Sequence, residues 1–333
     1  MFKRIFPILK NLLWYLFIIF IIITLNFMLI RLMPGDPIER YLGVEDYYYL
    51  EKYYPKVLED EKIKYGLDKS LGEQYIIYLR NTISGNWGKS YTYSTTVKNV
   101  ILSRMKWTIL LMLPAVLTSA VLGILIGAFS GWKKDSFFDK SMSSISMILY
   151  VIPTYCLSML LLLAFAYYRN IFPIGGITSG NLYGISKIKD ILYHMILPGI
   201  VLFLHKTAYN YLIMRNSVIE ERCQDYPICA RATGLSELQV LYKHVIPNAI
   251  LPLTTSLATQ LGSIVSGVMM IEVIFNWDGM GSLIYKSILK LDYPLLQGCL
   301  LITTIMVVLS NIIADVVCYL LDPRVKDGAI SEV

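Results

Sequence analysis

Residues 224–248 read QDYPICARATGLSELQVLYKHVIPN, a polar segment set between two of the most apolar stretches of the chain. Before Gly234, the run from Pro227 to Ala232 reads as a short helix, with proline tolerated in its first turn. Gly234 is placed to take the left-handed conformation that ends it. Ser236 then stands three residues before Gln239, the spacing of a capping box, and Val240, Leu241, Val245 and Ile246 give a second helix an apolar face as far as Pro247. The segment therefore reads as helix, glycine turn, helix. Ala230 and Gly234, four apart, are expected to leave a shallow notch where another surface can approach.

What flanks this segment fixes the fold class. The 333 residues are 56% hydrophobic and 16% charged, with a mean hydropathy of +0.56, whereas soluble domains carry roughly 25% charged residues. A helix crossing the hydrocarbon needs about 20 mostly apolar residues. Six such runs occur, at about 11–32, 108–130, 142–168, 191–214, 249–275 and 294–321, the fourth being the least clean. An all-α membrane protein of six spans is expected. The first run follows Lys3, Arg4 and Lys10 but is long and has no small-residue cleavage site after it, so it reads as a retained span.

Lysine and arginine in short loops resist translocation. Lys3, Arg4 and Lys10 before the first run, Lys133, Lys134 and Lys140 between the second and third, and Arg324 and Lys326 after the sixth all fall on one side of a six-span chain. That side is expected to be cytoplasmic and to hold both termini and residues 224–248. The net charge of +6 follows from this bias and gives no reason to invoke nucleic acid. A DNA-reading helix-turn-helix has similar local grammar, but here both ends enter the bilayer within a few residues. The five cysteines, Cys156, Cys223, Cys229, Cys299 and Cys318, imply no disulfide framework and have no metal-binding spacing. His194, His205 and His244 lie at different depths, which argues against a zinc site.

Residues 33–107 form the one sizeable extramembrane segment, expected to be partly helical. Ser70 and Glu73 have capping-box spacing, and Leu71, Tyr75, Ile76, Leu79 and Ile83 follow with helical period until Gly85. Val97, Val100 and Ile101 begin an amphipathic run leading into the second span. The segment holds 11 of 25 tyrosines, including Tyr47, Tyr48 and Tyr49, suited to an interfacial belt or to docking an external partner. Pro114, Pro153, Pro198 and Pro252 lie in or beside spans and permit kinks.

The sequence contains no G-x-x-x-x-G-K-[ST] phosphate loop. A transporter built on this chain would draw its energy from a partner or an ion gradient. Ionisable groups inside spans are costly and usually functional. Lys206 lies nine residues from Arg215 along the fourth span and Asp315 six residues from Leu321 in the sixth, so the two are expected to pair or to share a water-filled cavity. Alternatively Lys206 snorkels to the interface. Glu272, near the outer end of the fifth span, reads as structural or as part of a gate. A gradient-driven carrier would use such groups, and a membrane protease would need a pair such as Ser158 and His205, which nothing but residue type selects.

Ala230, Gly234 and Pro247, thirteen positions after the glycine, resemble the "EAA" loop of permease subunits of bacterial ATP-binding-cassette importers, with Ile228 and Cys229 at the usual Glu and Ala positions. The glutamate is often absent in the peptide and nickel branch. RLMPGDPIERYLG at 31–43, YGLDKSLGEQYIIYLRN at 65–81, GNWGKSY at 85–91, IEVIFNWDGMGSL at 271–283, DYPLLQG at 292–298 and LLDPRVK at 320–326 look like the first permease of oligopeptide, dipeptide or nickel importers. The resemblance implies a type I importer permease in the plasma membrane of a bacterium or archaeon, importing peptides or, as the runner-up, nickel or another metal complex. It implies a second permease, two ATPase subunits and an extracytoplasmic binding protein as partners, beside membrane lipid. No cofactor or metal is expected on this chain, and ATP and magnesium belong to the ATPases. By this resemblance Ala230 and Gly234 are contact and turn residues of a coupling helix, with Asp225, Arg231 and Leu235 beside them. The expected organisation is an N-terminus and first span (1–32), an outer loop (33–107), a core (108–321) with a coupling loop (215–248), and a tail (322–333).

Overall fold

Apolar runs that cannot hydrogen-bond to lipid must satisfy their backbone internally, and the computed structural model is accordingly helical. It describes residues 2–32, 37–64, 68–180, 182–264 and 268–321. In chain order the helices are α1 (Phe2–Leu32), α2 (Pro37–Leu42), α3 (Val44–Tyr53), α4 (Pro55–Lys64), α5 (Leu71–Ile83), α6 (Val97–Trp132), α7 (Phe137–Val151) and α8 (Thr154–Leu161). α8 continues as a π-helical stretch over Leu162–Tyr167. Then come α9 (Gly184–Glu221), α10 (Asp225–Ala232), α11 (Glu237–Val240), a second π stretch (Leu241–Val245), α12 (Ile246–Ala249), α13 (Leu251–Gly262), α14 (Met269–Ile274), α15 (Met280–Leu289) and α16 (Tyr293–Leu321). The chain divides into two units, Met1–Met105 with Leu283–Ile305, and Lys106–Ser282 with Met306–Val333.

In the first unit α5 starts where the capping box predicts. The Ser70 hydroxyl accepts from Glu73 N while the Glu73 carboxylate accepts from Ser70 N at 3.0 Å. The helix ends at Ile83, and Gly85 follows at φ 74°. Tyr75 and Tyr78 of α5 pack on Phe27 of α1, at ring distances of 5.2 and 5.5 Å, and the Tyr75 hydroxyl meets that of Thr24 at 2.6 Å. Asp292 is enclosed and accepts from Ser90 Oγ at 2.5 Å and Thr92 N at 3.0 Å. The tyrosines of α3 stay outside: Tyr48, Tyr49 and Tyr53 are all exposed.

Among the described residues α6, α9 and Tyr293–Ile313 of α16 are each long and apolar enough to cross a membrane. The third expected span is a bent pair, α7 with α8 and its π extension, turned by 98° at Ile152–Pro153. Pro153 has no N–H to continue α7, which is the physical cause of the break. Helix α1 contributes a further apolar segment, Trp14–Met28. Over the fifth expected span, 249–275, α13 ends at Gly262 and a short helix, α14, begins at Met269. Its apolar composition reflects burial in protein as well as lipid, for Ile271 and Phe275 lie in one core cluster with Leu111, Leu157, Leu197 and Val201. The fourth span is longer than expected. Helix α9 has 38 residues, about 57 Å at 1.5 Å per residue, so its polar turns project beyond the hydrocarbon at both ends.

Candidate functional site: the 224–248 segment and its anchorage

Helix α10 begins after Gln224 and ends as anticipated. Gly234 adopts φ +86° and donates its N–H to Arg231 O at 2.9 Å. A side chain here would meet no atom within 4 Å, so the constraint is backbone sign and not space. Ser236 and Gln239 form the second capping box, with Gln239 N on Ser236 Oγ at 3.4 Å and Ser236 N on Gln239 Oε1 at 3.0 Å. The second helix does not stop at Pro247. It widens to π geometry over Leu241–Val245 and continues to Ala249. Widening relieves the clash between the proline ring and the carbonyl one turn back, and Asn248 Nδ2 donates to His244 O at 2.9 Å.

Ala230 does not border an open notch. It is 8% exposed and packs with Met214, Val218, Val240, Leu241 and Val245 in one core cluster, against which Leu235 also packs. The small residue lets α10 lie close on the end of α9. The outer face of α10 is instead Asp225, Ile228, Cys229 and Ala232, with Ile228 56% exposed. Arg231 faces inward along the edge, donating from Nε to Glu237 Oε1 at 3.0 Å and lying over the Trp132 ring at 5.3 Å. Between α6 and the second helix lies a cavity of about 460 Å³ lined by Leu125, Phe129, Trp132, Leu238, Leu241 and Tyr242 among others.

The segment is fastened to the spans by groups that no local pattern reveals. Arg222, directly after α9, donates to Trp132 O at 2.8 Å at the end of α6. About two turns earlier, Arg215 forms a two-pronged pair with Asp139 of α7, Nε to Oδ1 at 2.5 Å and Nη2 to Oδ2 at 2.8 Å. Ser130 of α6 donates to Asp139 Oδ1 at 2.5 Å, and its hydroxyl meets Tyr211 OH at 2.7 Å. Asp139 is 1% exposed.

Of the intramembrane candidates, Lys206 lies on α9, half-buried, whereas the side chain of Asp315 is outside the described residues, as is the tail 322–333. Glu272 is enclosed at 0% exposure in α14. Its carboxylate accepts from Thr108 Oγ1 at 2.7 Å and from Ser282 N at 2.9 Å. Its carbonyl accepts from Trp277 N at 2.7 Å, while Trp277 Nε1 donates to Trp107 O at 3.0 Å. Glu272 thus ties the Asn276–Gly279 turn to α6. Ser158 donates to Thr154 O, and His205 stacks on Tyr150 at 5.9 Å; each has a structural partner of its own.

Helical spans, a polar helix pair between two of them, and anchorage of that pair to three spans describe a multi-pass membrane protein. The chain belongs to the binding-protein-dependent transport system inner membrane component family, which it matches over residues 123–327. It is 31% identical to the di/tripeptide transport system permease protein DppB of Pseudomonas aeruginosa, over 91% of this chain and 93% of that one. It is 32% identical to the oligopeptide transport system permease protein OppB of Haemophilus influenzae, over 96% and 98%. A chain of the MetNI methionine ABC transporter, in inward-facing conformations, shares the fold at a TM-score of 0.53 and 14% identity, covering 67% of this chain and 96% of its own length.

Proposed function

We propose that this chain is one of two permease subunits of an ATP-driven importer of peptides that works with two ATPase subunits, and that residues 224–248 are where an ATPase engages it. The single observation carrying the coupling role is the exposed outer face of α10, with Ile228 at its centre, mounted on a core continuous with α9. Asp225 and Arg231 flank that face, Gly234 turns it, and Ala230 and Leu235 seat it. The names of the relatives, which are peptide systems, support peptide cargo over nickel or another metal complex. ATP and magnesium then bind the partner ATPases, and an extracytoplasmic binding protein delivers cargo to the outer side. Both termini and the coupling segment face the cytoplasm in this reading, and Lys206 with Asp315 contributes a polar point on the pathway.

Copurification tests the reading. Membranes solubilised around a tagged chain should yield a second permease and two ATPases, and Ile228→Cys should crosslink to an ATPase. Recovery of the chain alone, with uptake driven by an ion gradient, would replace this reading with a carrier.

A further inference from the structure

The three helix ends beside the 224–248 segment are joined more tightly than packing alone requires. Asp139 accepts both prongs of an arginine, and its oxygens also receive Ser130 Oγ at 2.5 Å and Asp135 N at 3.0 Å. A two-pronged guanidinium–carboxylate contact fixes orientation as well as distance. With Asp139 enclosed and Arg215 only partly exposed, the pair is screened less than a surface ion pair. Tyr211, one turn before Arg215 on α9, reaches Ser130 of α6 and also Ser143 of α7, at 2.7 and 3.0 Å, closing a ring of polar contacts through all three helices.

Apolar contacts reinforce it. At Gly127 the backbones of α6 and α9 approach until an added Cβ would lie 2.8 Å from Tyr211 O. From this block to α10 the chain has only Arg222–Gln224 to cross, and Arg222 is itself bonded to α6. A push on α10 therefore has no slack in which to dissipate.

We infer that Asp139 and Arg215 make α7 follow α9, so that α6, α7 and α9 move as one body when the coupling segment is displaced. Asp139 is then a positioning residue of the transport cycle. The inference rests on the proposal that ATPases engage residues 224–248.

The test uses the assembled transporter, with its ATPases and binding protein, in vesicles. Spin labels go on the exposed positions Ser144 of α7 and Asn216 of α9, as Ser144→Cys and Asn216→Cys with the native cysteines replaced. With wild-type Asp139 the distance between labels should change by less than about 2 Å between nucleotide-free and ATP-bound states, the size of ordinary helix adjustments. In Asp139→Asn the two helices should part in one of those states. Import per ATP hydrolysed should fall about tenfold while the ATPases remain bound. Arg215→Lys, which keeps charge but loses the second prong, should fall between. A larger label displacement with wild-type Asp139 overturns the inference even if Asp139→Asn fails to assemble. So does an Asp139→Asn complex with unchanged import per ATP. Failure of any ATPase to copurify with the wild-type chain overturns the prior reading instead.

Discussion

At Gly234 a single backbone angle decides the shape of the 224–248 segment. The φ of +86° penalises any side chain by roughly 1–2 kcal/mol, although space is free around it. Gly234→Ala is therefore expected to weaken ATPase binding through misdirection of α10, measured as a lower yield of ATPase on a tagged chain, with little change in the melting of the spans. Glu272 presents the opposite case, fixed by neighbours and not by its own backbone. Glu272→Ala leaves the Thr108 hydroxyl and Ser282 N–H without their acceptor, at about 1–3 kcal/mol each, and a lower melting temperature should report it. Glu272→Gln keeps one acceptor oxygen and should cost less. Outside the membrane, hydrogen bonds from Ser70 hold the Glu73 carboxyl below the usual range, with Lys69 adding a smaller effect. A depressed folded value means the cap's contribution is present above the unfolded pKa and is lost as pH falls through the folded one. Protection of the first-turn amides of α5 relative to their intrinsic exchange should fall as pH drops through that range, and Ser70→Ala should remove the dependence. Both capping boxes were legible because their partners lie three residues apart. The Thr108–Glu272 bond joins positions 164 apart, beyond any local pattern.

Helices that must slide or tilt together are better judged by their contacts than by their composition. Helix α6 meets α9 backbone to backbone at Gly123, Gly127 and Gly131, a small-residue stripe of the kind that packs helices in lipid, where apolar side chains alone give no drive to associate. Gly127→Ala would set a Cβ 2.9 Å from that of Met214. With backbone on the other side the helices must part, and such overpacking costs about 1–3 kcal/mol; a drop in the thermal stability of the detergent-solubilised protein should follow. Apolar run length located α6, α9 and α16, and helical period located α5. The division of 249–275 into α13 and α14 was not legible, because lipid and protein interior ask for the same apolar residues. Pro247 misled in a similar way, since a proline ends a helix only where the turn before it cannot widen.

For the whole molecule, the orientation that follows from the lysine and arginine bias can be measured. Cys223 and Cys229 are exposed beside α10, so a membrane-impermeant maleimide should label them from the cytoplasmic side alone, and bound ATPases should protect Cys229. Labelling from the outer side would reverse the topology. Basic residues in short loops resist crossing a bilayer, so this labelling reads the orientation independently of how the helices pack. The sequence by itself determined the membrane class, the helix–turn–helix at 224–248 and its caps, because each depends on mean polarity, on one angle, or on partners within a helical turn. Only the tertiary structure decided that Ala230 faces inward, that Glu272 locks a turn onto α6, and that Asp139 meets Arg215 across 76 residues. Those outcomes depend on which distant helix faces meet, and burial pairs groups by geometry that no spacing along the chain encodes.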